Sequence, residues 1–115
     1  MIRFIFLILF SVFAIAETNH PDCAGKDRWP AAMAFVHLKN EGLAKNDDID
    51  FSLTSVKRLS SQEIEPGLFT QIHEVTFFEK NGKTITVITN NNASHEECSM
   101  SGVEVYVISK KLGAK

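Results

Sequence analysis

Val75-Thr76-Phe77-Phe78-Glu79-Lys80-Asn81-Gly82-Lys83-Thr84-Ile85-Thr86-Val87-Ile88 is two β-branched and aromatic runs joined by an Asn-Gly pair. Val, Ile, Phe and Thr suit a pleated, half-buried surface, so each run predicts a strand. Asn81-Gly82 is the strongest short hairpin signal, because both central residues of a type I′ turn need positive φ. A two-residue turn there pairs Lys80 with Lys83, Phe78 with Ile85 and Thr76 with Val87. Side chains alternate between faces along a strand. This register therefore sets Phe78, Ile85 and Val87 on one face, and Val75, Phe77 and Ile88 on the other. Both faces are apolar near the middle of the hairpin.

Outward from the hairpin, residues 51–59 and 68–79 read as the first two strands, with 60–67 turn-like and ending in Pro66-Gly67. The third strand is 83–89, a polar loop covers 90–101, and 103–109 is the fourth strand. Upstream, Asp27 is a plausible N-cap and Pro30 fits the first turn of a helix. Ala31, Ala32, Met33 and Ala34 carry the helix, and Gly42 is a natural residue to end it. The order predicts an α+β fold: one N-terminal helix packed on a four-stranded antiparallel meander sheet. That layout resembles the cystatin-like arrangement and small periplasmic inhibitor and immunity proteins. The likeness is one of layout. The cystatin Gln-x-Val-x-Gly hairpin motif is absent, so protease inhibition does not carry over.

Residues 1–16 have the form of a cleavable secretory signal: Arg3, an apolar run from Phe4 to Phe13, and Ala14-Ile15-Ala16 as the cleavage pattern. The apolar run is shorter than the roughly 20 residues that cross a bilayer, so no membrane insertion is expected after cleavage. Removing 16 of 115 residues leaves 99, the size of one small domain spanning 17–115. Losing Arg3 takes the net charge from −2 to −3. The basic residues are scattered, with no face or stripe of the kind that binds nucleic acid. Both cysteines, Cys23 and Cys98, fall in the mature part. In an exported chain they are expected to pair. The destination is periplasmic or secreted.

One helix covers one face of a sheet, so the second apolar face needs an account. It is covered by a terminal segment or a long loop, or a bulge within Ile72 to Val75 shifts the pattern, or it recognises another protein. Tyr106 lies out of phase with Val103, Val105 and Val107, which places it with Ile108 on that second face. The expected binding residues are Val75, Phe77, Tyr106 and His73, with His95 in the 90–97 loop at the rim. Another protein, of unknown identity, is the expected partner, and a homodimer is compatible with the pattern.

Candidate chemistry is thin. His95-Glu96-Glu97-Cys98 gathers potential ligands, but a disulfide-bonded Cys98 cannot hold zinc, and one His with two carboxylates is a poor site. Ser94 and His95 are adjacent in sequence, whereas a nucleophile and its base must meet across space. Asp47, Asp48 and Asp50 lack the glycine and bidentate glutamate of an EF-hand. No motif for a cofactor is present, and no catalytic or metal residue is expected. The sequence thus points to an exported, disulfide-held protein-binding module, of inhibitor or immunity type at the cell envelope, and not an enzyme. The alternative is a small ligand-binding protein or minor hydrolase using His73 or His95.

Overall fold

Pro30 and a run of alanines start α1 (Trp29–Asn40) in a computed structural model that describes residues 19–110 and 112–113. The expected signal, 1–16, lies outside the described residues. Pro30 sits in the first turn, where a missing N–H leaves no bond unmade. The N-cap is Arg28, with no side-chain bond to the helix, one residue later than Asp27. The far end closes at Gly42, φ +72. The Gly42 N–H bonds the Lys39 carbonyl at 3.0 Å, and the Leu43 N–H bonds the Leu38 carbonyl at 2.8 Å. Those two bonds make a Schellman motif.

Four strands follow: β1 (Ser55–Glu65), β2 (Leu68–Phe78), β3 (Thr84–Ala93) and β4 (Glu104–Ile108). They pair antiparallel in chain order. The helix on a four-stranded antiparallel meander is the α+β architecture expected, and Cys23 is bonded to Cys98. Three boundaries differ by several residues. Phe51–Leu53 is a short 3₁₀ turn, and β1 instead runs through 60–65, where a turn was expected. Ser60, Ser61, Gln62 and Glu63 have little strand preference of their own; the ladder to β2 holds them, as tertiary context often does. By the same means β3 continues past Thr89 through three asparagines to Ala93, opposite Phe69.

The register of the central hairpin is one residue off the expected one. Lys80-Asn81-Gly82 forms a three-residue loop. The Gly82 N–H reaches the Glu79 carbonyl at 2.9 Å, and the Glu79 N–H reaches the Lys83 carbonyl at 2.8 Å. Gly82 has φ +93, the left-handed residue that closes this class of loop. Phe77 therefore pairs with Ile85, Thr76 with Thr86 and Val75 with Val87. A one-residue slip sends every side chain of a strand to the other face. Ile85 and Val87 join Val75 and Phe77 beneath the helix, and Thr76, Thr84 and Thr86 take the outside.

The core is built there. Ala31, Ala34 and Leu38 pack on Val75, Phe77 and Val87, with Ala44 and Ile49 beside them. The two alanines let the helix lie close to the sheet. Phe35 spans outward from Phe77 to Phe51, with ring centroids 5.9 and 4.8 Å away.

Candidate functional site

Beyond the helix start, the covered face of the sheet turns polar: Gln71 and His73 on β2, Thr89 and Asn91 on β3, all buried. The leader before α1 closes over this half. Gln71 Nε2 donates to the Pro21 carbonyl at 2.9 Å and to Ser61 Oγ at 3.0 Å. Asn91 Nδ2 donates to the Cys98 carbonyl at 2.8 Å. His20 and His95 stand edge-on to Phe69 at 5.4 and 5.2 Å. Trp29 Nε1 donates to the Ser101 carbonyl at 3.2 Å, tying the helix start to the loop after Cys98. The disulfide is thus the clamp that holds leader and loop over a polar lining.

His73 is 0% exposed, and neither ring nitrogen has a hydrogen-bond partner. Burial pushes its pKa below the ordinary 6.5; Arg58, opposite it on β1, lowers it further, and Asp22 in the leader works the other way. An imidazole so placed is neutral at pH 7, closed off from any substrate. His95 is exposed on its loop, and Cys98 beside it is taken up in the disulfide. Among the described residues, no group of three His, Cys, Asp or Glu side chains is arranged to hold a metal ion.

The five expected binding residues do not form one patch. His73, Val75 and Phe77 lie on the covered face and are buried, because the register slip carried the apolar pairs of the hairpin under the helix. His95 is at the far end of that same side, against Phe69. Only Tyr106 stands on the uncovered face. Its neighbour across β3 is Ile88, and Ile108 lies beyond Thr86. Ile72 and Phe78 on β2 share the face, both half-buried. The helix, the leader and the disulfide all lie on the other side, and no described segment crosses this one.

Comparison with protein-family models, curated proteins and solved structures finds no match to this chain.

The open face is chemically simple. A band of Ile72, Ile88, Tyr106 and Ile108 is edged by threonines, with Thr76 and Thr86 Oγ atoms 3.4 Å apart and Thr70 bonded to Asn92 Oδ1 at 2.9 Å. Tyr106 donates its phenol proton to Glu104 Oε2 at 2.6 Å, a bond that pushes the phenol pKa upward. Lys57 and Glu74 are directly opposed across β1 and β2. Such a surface, hollowed between Glu74, Thr86, Ile88 and Ile108, can exclude water under a partner and supply hydroxyl contacts. It has no paired acid and base. Ile88 lies on the second face, where the sequence placed it, whereas Ile72 was not expected here; the alternation Thr84-Ile85-Thr86-Val87, matched to Val75-Thr76-Phe77, is the signal that places the threonines outside.

Proposed function

We propose that this chain is an exported binding module that captures another protein on the uncovered face of its sheet, centred on Tyr106, without catalysing a reaction. The observation that carries this reading is the apolar band of that face: Tyr106 is 53% and Ile108 44% exposed, alongside Ile88 and Ile72, with no described segment over them. Contiguous exposed apolar surface rimmed by polar groups marks interaction sites, and tyrosine is enriched among residues that dominate interface energies. Export is supported by the signal-like form of residues 1–16 and by the disulfide, which persists in oxidising compartments. The periplasm or the medium is the proposed destination, and an inhibitor or immunity-type role at the envelope fits a small rigid binder. Rigidity lowers the entropic cost of docking.

A small-ligand or hydrolase role for His73 gains nothing from its burial. A hollow of about 670 Å³ opens on the uncovered face between Glu74, Thr86, Ile88, Ile108 and Lys110, with neither His73 nor His95 in its lining, and the groove between α1 and β4 is about 60 Å³. The test is capture from the native envelope or culture fluid by tagged mature protein. Tyr106→Ala is expected to lose the captured protein while melting within a few degrees of the parent. Retained capture would remove the open face from the account.

A further inference from the structure

The two edges of the sheet are unlike. β1 carries Lys57, Arg58, Glu63 and Glu65, its register breaks at Arg58/Ser60 and again at Glu63/Glu65, and Pro66 follows it. Charges, bulges and proline are how sheets keep an edge from pairing with another strand. β4, at the opposite edge, has none of these over Val105-Tyr106-Val107-Ile108, and it pairs with β3 without a register shift. Its flanks are apolar on both sides of the sheet. Tyr106 and Ile108 lie on the open face. Val107, 46% exposed, borders the groove shared with Leu38 and Leu43 of the helix end.

We propose that β4 pairs antiparallel with β4 of a second copy of this chain, centred on Val107, so that two four-stranded sheets become one of eight strands. Charge sets the register. Centred on Val107, Glu104 lies opposite Lys110 of the second copy, and twofold symmetry makes that pair twice. Tyr106 then faces Ile108 of the copy, and Val105 faces Ser109. Centring on Tyr106 instead puts Glu104 opposite Ile108 and Lys110 opposite Gly102, losing both charge pairs. Opposite charges directly across an antiparallel ladder stabilise it, and like charges destabilise it. The contact is isologous, with its axis perpendicular to the sheet. Both helices lie on one side and both Tyr106 faces on the other. The inference stands on the edge itself and is independent of what the open face captures.

A strand this short buries less than the roughly 1,200 Å² of a stable interface, so pairing is weak and depends on concentration. Sedimentation equilibrium of the mature chain from roughly 10 µM to 1 mM covers the range of such affinities. The expected result is a mass rising from monomer to dimer. Val107→Lys, which puts a charge on the edge and points away from Tyr106, is expected to stay monomeric. Glu104→Lys is expected to weaken association roughly tenfold by setting two lysines opposite each other twice, and adding Lys110→Glu is expected to restore it. A parent chain that remains monomeric at 1 mM overturns the proposal. So does a dimer indifferent to Val107→Lys, or a double charge swap that associates no better than Glu104→Lys alone.

Discussion

His73 shows how much one position costs this fold and what it predicts. It is buried with both nitrogens unpartnered, and its pKa is pushed down by burial, then by Arg58. The unfolded chain takes up a proton near the ordinary 6.5 while the folded chain resists it. The unfolded state then binds more protons, so stability is full above that pH and falls as pH drops through the lowered folded value. Urea midpoints are expected to fall from pH 7.5 to pH 5, and His73→Gln is expected to flatten that slope; an unchanged slope would show the acid sensitivity to lie elsewhere. Phe77 and Tyr106, both expected from sequence to bind a partner, separate at this scale. Phe77→Ala empties a site in the core and is expected to cost about 3–5 kcal/mol, against about 0.5 kcal/mol or less for Tyr106→Ala on the surface. Denaturant unfolding of the two variants reads the difference directly.

At the scale of elements, the helix, the hairpin and the four-strand order were legible, because Pro30, Gly42 and the β-branched runs each act locally. The register was not. Asn81-Gly82 serves a two-residue type I′ turn and the middle and end of a three-residue loop equally well, since both need a left-handed glycine. The choice between them rests on which pairing buries more, a question the turn residues do not answer. Pairing Val75 with Val87 and Phe77 with Ile85 gathers the apolar groups on one side. The asparagines of 90–92 were illegible for a related reason: their strand state depends on β2 alongside them. Because Gly82 has φ +93, Gly82→Ala is expected to cost about 1 kcal/mol and Gly82→Asn less, as read by thermal melting. An alanine variant as stable as the parent would contradict the loop described.

Among the described residues, the sheet has one closed face and one open. The closed face has an apolar half under α1 and a polar half under the leader, and the second is held by Cys23–Cys98 across 75 residues. Breaking the bond with Cys23→Ala and Cys98→Ala is expected to cost about 2–5 kcal/mol, a large share of the roughly 5–15 kcal/mol that a domain has. Amide exchange is expected to rise first around Gln71, His73 and Asn91; a uniform rise would assign the clamp a global role. The open face is expected to keep its form when the bond is broken, and the proposed capture of another protein rests there. The most direct measurement places a photoactivated cross-linking residue at position 106, and in a second variant at Lys39 on the exposed side of the helix, in the exporting cell. The account requires a defined adduct from position 106 with a protein other than this chain, beside any two-chain adduct that the β4 edge supplies, and none from position 39. Equal labelling from both positions, or nothing from 106 beyond a two-chain adduct, would contradict it.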